Sequence, residues 1–111
     1  MDIEQLWQYC KTKPEAEECF PFGPETLVFK VNGKIFFLAS LEKQPLQFNV
    51  KCDPEKAIDL REKFASVLPG YHMNKKLWNT IIIDGSVPTH LLQEFIDDSY
   101  ILVAKKKKQL L

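Results

Sequence analysis

The chain of 111 residues balances 15 basic against 15 acidic side chains, is 45% apolar, and holds 7 prolines and 4 glycines. That length suits one domain over residues 1–111, and the apolar content argues against intrinsic disorder. No apolar run approaches the ~20 residues of a membrane span, the opening Met1-Asp2-Ile3-Glu4-Gln5 lacks a secretory pattern, and zero formal charge sets the chain apart from strongly basic nucleic-acid binders.

Residues Asp2 to Lys11 place Ile3, Leu6, Trp7 and Cys10 on one stripe, which predicts an amphipathic helix ending before Pro14. Glu15 to Glu25 contains Pro21, Gly23 and Pro24 and reads as a loop, pinned to the core by Phe20 and Phe22. Thr26 to Val31 and Lys34 to Ala39 are β-rich runs joined by Asn32-Gly33, a pair suited to a type I′ turn. The turn sets an expected register of Val31 opposite Lys34, Phe29 opposite Phe36, and Leu27 opposite Leu38. Lys30 then faces Ile35 and Val28 faces Phe37, which leaves Val28, Ile35 and Phe37 as an apolar set on the second face of the sheet. Such a set calls for cover by a loop or a second chain.

Leu46, Phe48 and Val50 alternate in a third strand. Asp53-Pro54 then opens a second helix as N-cap and first helical residue, with Ala57, Leu60 and Phe64 as its stripe. Pro69-Gly70 ends that pattern, Tyr71 to Lys76 forms a short strand or loop, and Trp78 to Ile83 forms a strand. After Asp84-Gly85 a last helix starts near Ser86 to Pro88 and runs into Lys105 to Lys108. The predicted fold class is α+β, a two-layer antiparallel sheet with helices on one face, in the order α-β-β-β-α-β-β-α. Trp7, Phe29, Phe36, Leu60, Phe64, Ile81, Phe95 and Leu102 make up the expected core.

Cys10, Cys19 and Cys52 form an odd set without C-x-x-C spacing, and His72 and His90 stand at no ligand spacing. A reducing, cytoplasmic compartment is expected, with no structural metal and no cofactor. His72 is a candidate general base, since an unperturbed imidazole titrates at about 6.5. The chain offers no nucleophile motif and no glycine-rich phosphate loop to accompany it, so the expectation is a non-enzyme.

The segment Pro69 to Thr80 concentrates a histidine, two aromatics, two lysines and two asparagines. It reads either as cations, donors and stacking faces for a nucleic acid, or as core aromatics and turn-forming asparagines. Charge is uneven: residues 1–25 hold two lysines and six acids, and residues 99–111 hold four lysines and no acid. The lysine run at 105–108 suits a helix C-terminus running into solvent. Alternatively it joins Lys34, Lys51, Lys75 and Lys76 in one basic face.

Phe20-Pro21-Phe22-Gly23, Gly33-Lys34-Ile35-Phe36, Lys51-Cys52-Asp53-Pro54, Pro69-Gly70-Tyr71-His72-Met73-Asn74-Lys75-Lys76, Trp78-Asn79-Thr80 and Ser99-Tyr100 occur in the order found in the MmcQ/YjbR family, which this chain resembles over nearly its whole length. The resemblance implies a small bacterial domain with a fold akin to type III secretion chaperones, and it makes Tyr71 to Met73 a strand. It also implies a DNA-binding accessory role, for which the candidate contacts are Lys34, Lys51, His72, Asn74, Lys75, Lys76, Trp78 and Asn79. The expected partner is duplex DNA. The alternatives are a protein-interaction or chaperone-like module, acting as a homodimer or on another protein through the open sheet face, and a small-ligand role around His72 and Trp78. No membrane association is expected.

Overall fold

A computed structural model of the chain describes residues 1–70 and 73–105. In chain order the elements are α1 (Ile3–Lys11), β1 (Glu17–Cys19), β2 (Thr26–Val31), β3 (Lys34–Ser40), β4 (Gln47–Lys51), α2 (Pro54–Lys63), β5 (Val67–Pro69), β6 (Trp78–Ile82) and α3 (Thr89–Ala104). All the strand pairs are antiparallel and the spatial order is β1-β2-β3-β4-β6-β5. The predicted α+β order holds, with β1 added at one edge from what the sequence presents as a loop. No described helix is long and apolar enough to cross a membrane.

Local chemistry accounts for the helix starts. Asp2 caps α1 by accepting from Gln5 N at 2.8 Å, while Gln5 Oε1 accepts from Asp2 N at 2.9 Å, a reciprocal capping box. The Asp53 carboxylate accepts from Glu55 N and Lys56 N at 3.2 and 3.3 Å, and Pro54 supplies the first helical residue of α2. α3 starts at Thr89 without a side-chain cap, because its N-cap residue is Pro88, whose side chain carries no acceptor, and the polar turn before it is held by Asp84 accepting from Ser86 N at 3.0 Å.

The core lies between the helices and one face of the sheet. Leu6 and Cys10 of α1, Leu92, Phe95, Ile96 and Val103 of α3, and the inward strand residues Phe29, Phe37, Phe48, Val50 and Ile81 form one buried cluster. Trp7, Leu60 and Phe64 pack against it half-buried. Leu102 departs from the expected core: it is 41% exposed, and the next residue, Val103, turns inward instead.

The Asn32-Gly33 turn forms as expected, with φ of 54° and 77° at the two positions. The register it sets survives for two pairs, Val31 with Lys34 and Lys30 with Ile35. A bulge then intervenes, and Phe29 pairs with Phe37, Val28 with Leu38 and Leu27 with Ala39. Strict alternation admits only one of two successive residues to the core, whereas an extra residue on one strand lets both enter. Phe36 and Phe37 are accordingly both buried, with ring centroids 6.2 and 6.1 Å from Phe29. Phe37 also stacks on Phe48 at 5.3 Å. The apolar set expected on the second face therefore loses Phe37. Val28 is buried there beside its ladder partners Cys19 and Leu38, and Ile35 is half-buried.

The bulge frees the Phe36 carbonyl, and α3 takes it. Ser99 is fully buried, and its Oγ donates to Phe36 O at 2.6 Å and accepts from Lys51 N at 2.8 Å. One hydroxyl thus ties the bulged strand to the end of β4.

Of the strand implied at Tyr71 to Met73 only Met73 is among the described residues, and it lies in a bend; the strand described before it is β5, which starts at Val67. Tyr71 and His72 lie outside the described residues. Gly70 sits where β5 leaves β6. Its N–H donates to Trp78 O at 2.9 Å, and a Cβ at this position would stand 2.7 Å from Trp78 Cβ, so only glycine permits the approach.

Candidate nucleic-acid interface

Antiparallel pairing brings the start of β3, the end of β4 and the start of β6 to one end of the sheet. Lys34 opens β3 beside the hairpin tip, and Lys51 and Trp78 are ladder partners at the end of β4. The pairing runs one step further, since Cys52 N donates to Leu77 O at 2.7 Å, and the Asn74–Leu77 turn projects from there with Lys75 and Lys76 exposed. Alternation from buried Val50 and Asn79 places Lys51 and Trp78 on the face without helices, both half-buried. Beside them a groove of about 400 Å³ crosses that face, lined by Lys43, Gln47, Leu68, Pro69, Lys75 and Thr80.

The C-terminal end of α3 reaches the same region. Asn32 Nδ2 at the hairpin tip donates to Ala104 O at 3.1 Å, which sets exposed Lys105 and the negative end of the helix dipole beside the tip. Lys106 to Lys108 lie outside the described residues. Glu15 and Glu17 border the tip on the β1 side, and Glu17 pairs with Lys30. Among the described residues the ion pairs are Lys13 with Asp97, and Lys56 with Glu94 and Asp98. Lys34, Lys51, Lys75 and Lys76 belong to none of these. Among the described residues, four cations without a carboxylate partner therefore share one end of the domain.

The asparagines have a different duty. Asn74 Oδ1 accepts from Lys76 N at 3.0 Å, and Asn74 O accepts from Leu77 N and Trp78 N, so the residue builds the turn. Asn79 is 1% exposed on the helix side of β6, and its Oδ1 accepts from Arg61 Nε at 2.7 Å. Burial removes it from any contact set, which corrects the expectation for Asn79. His72 falls outside the described residues.

Two residues outside the expected contact set hold this end in shape. Arg61, the only arginine of the chain, reaches from α2 to Asn79 and also donates through Nη2 to Lys75 O and to Trp78 O. A planar fork with several donors suits such a clamp, and its uniqueness in the sequence was the available signal. Ser99 is the second, through its bond to Lys51 N. Asn79 Nδ2 is a buried side-chain nitrogen without a hydrogen-bond partner among the described residues. Among those residues no group of three or more His, Cys, Asp or Glu gathers as a metal site requires. Burial pushes the Cys10 and Cys52 thiols above their ordinary range, so neither is poised as a nucleophile.

Comparison with known proteins agrees with this architecture. The YjbR family model matches residues 11–102. The chain is 43% identical over 107 residues to the uncharacterized protein YbdF of Escherichia coli O157:H7, covering 93% of this chain and 88% of that protein. It is 32% identical to the uncharacterized protein YjbR of Escherichia coli K12, over 100% of this chain and 98% of the relative. Among solved structures, Deinococcus radiodurans DR2400 superposes with a TM-score of 0.89 at 42% identity, covering 94% of this chain and 79% of that one. A Pseudomonas syringae protein superposes with a TM-score of 0.80 at 26% identity, covering 93% and 99%.

Proposed function

The chain belongs to the YjbR family, and for this member we propose a non-enzymatic accessory role in which the lysine-bearing end of the sheet holds the phosphate backbone of duplex DNA. What supports the reading is the convergence of Lys34, Lys51, Lys75 and Lys76 on one end, with no ion pair to neutralise them among the described residues. Half-buried Trp78 is the ladder partner of Lys51 on the same face.

The same geometry limits what such a contact reads. Bases are discriminated by bidentate Arg, Asn or Gln side chains in a groove. Here the single arginine and both Asn74 and Asn79 are engaged within the fold. Contact is therefore with phosphates and carries little sequence preference. The rival reading, a protein-interaction or chaperone-like module working through the uncovered sheet face, loses its main support with Phe37 and Val28 buried.

Titration of a labelled duplex at low salt tests the proposal. The chain should shift unrelated sequences alike, and the Lys75→Ala/Lys76→Ala double variant should weaken binding to all of them equally. Failure to bind any duplex at low salt, or undiminished binding by the double variant, overturns it.

A further inference from the structure

At the end of the sheet opposite the lysines, a groove of about 540 Å³ opens between α1, the loop after β1 and the β3–β4 turn. Ile3 and Trp7 of α1, Phe20, Leu27, Leu41 and Leu46 give it an apolar floor. Phe20 and Leu41 remain 43% and 39% exposed, although the sequence suggested that Phe20 pins its loop to the core. Phe22 in the same turn is 61% exposed, so the Phe20-Pro21-Phe22-Gly23 motif is not explained by packing. Large apolar side chains left in water around a concave floor mark a contact surface.

The polar lining states the sign of what fits. Asp2, Glu4 and Glu18 stand around the floor with Lys43, and Lys11 Nζ lies 4.7 Å from the centroid of the Trp7 ring, so among the described residues three carboxylates face two lysines. Carboxylates at a rim repel a nucleic acid and an acidic peptide and attract a basic one. We infer that this groove docks a cationic amphipathic peptide segment of a partner protein, with its large apolar side chains on the floor and its Lys or Arg side chains facing Glu4 and Glu18. The inference stands apart from Lys34, Lys51, Lys75 and Lys76, none of which lines this groove, while Lys43 borders both grooves.

The test is fluorescence anisotropy of the full chain with two short labelled peptides of equal length, one of Lys, Leu and Ser and one with Glu in place of Lys. The cationic peptide should bind about tenfold or more tighter than the acidic one, and added salt should narrow the gap. Glu4→Lys/Glu18→Lys should abolish the preference, and Phe20→Ser/Leu41→Ser should weaken binding of the cationic peptide at least about tenfold. These four positions are exposed, so thermal melts of the variants should match that of the parent and separate lost binding from lost folding. Equal affinity for the two peptides, no binding of either, or full binding by Phe20→Ser/Leu41→Ser would each overturn the inference. So would dimerisation of the parent chain that Phe20→Ser abolishes, because the groove would then belong to a second copy.

Discussion

Replacing Ser99 by alanine removes one oxygen and strands two backbone groups. Ser99 Oγ satisfies the Phe36 carbonyl at 2.6 Å in a fully buried position and Lys51 N at 2.8 Å in a partly buried one. The bulge leaves Phe36 without a ladder partner, so α3 is what satisfies its carbonyl. A stranded buried polar group costs about 1–3 kcal/mol, and Lys51 N can recover some hydration, so the variant should lose about 2–4 kcal/mol. For a domain of this size that corresponds to a fall in Tm of roughly 10–20 °C. Urea denaturation followed by circular dichroism, with an unchanged m-value, gives the loss directly. A Ser99→Cys variant, which keeps a weak donor of similar size, should fall between the two. A loss below ~0.5 kcal/mol, the range of ordinary surface substitutions, would show that the bulge does not depend on this hydroxyl.

Gly33→Val should cost about 1–2 kcal/mol, because the positive φ that a type I′ turn requires is strained for a β-branched side chain. A Cβ there meets nothing within 4 Å, so an unchanged denaturation midpoint would refute the strain argument itself. Arg61→Ala removes the partner of buried Asn79 Oδ1 and should cost about 1–3 kcal/mol, and Arg61→Lys should fail to restore it because an ammonium cannot span Asn79 and the Trp78 carbonyl together. Equal stability of parent and Arg61→Ala in a thermal melt would contradict the clamp. In a thiol-disulfide exchange assay with an aromatic disulfide, Cys19 on the edge strand should react first, while buried Cys10 and Cys52, with thiols pushed up by desolvation, should react only after denaturant is added. Fast reaction of more than one thiol in the native chain would refute that burial pattern.

Features decided by neighbours along the chain are legible in the sequence itself. The Asp53-Pro54 start of α2 and the Asn32-Gly33 turn are chemistry of adjacent residues, and both form as read. Features decided across the fold are not. The Phe36 carbonyl at the bulge is bonded by a hydroxyl 63 residues away, and nothing local in Lys34 to Ala39 announces it. β1 is three residues, Glu17, Glu18 and Cys19, without apolar alternation, and it exists because the β2 edge offers it a ladder. The choice of Val103 over Leu102 is a rotation of about 100° on one helix, which a continuous apolar run does not specify. For the candidate site, the grouping of lysines from β3, β4 and the 74–77 turn follows from strand order, which the spacing of the residues leaves open. Asn79 stands out in the sequence for good reason, but its partner Arg61 lies on another element, and burial turns a supposed contact into a support.

The salt dependence of DNA affinity tests the central claim most directly. If Lys34, Lys51, Lys75 and Lys76 each neutralise a phosphate, log affinity should fall against log salt with a slope of roughly −3 to −4, at about −0.9 per contact. Each single lysine-to-alanine change should reduce that slope by about one while leaving the indifference to sequence intact. A slope near zero, or a slope that Lys75→Ala and Lys76→Ala leave unaltered, would contradict the assignment of this end of the sheet to a phosphate backbone.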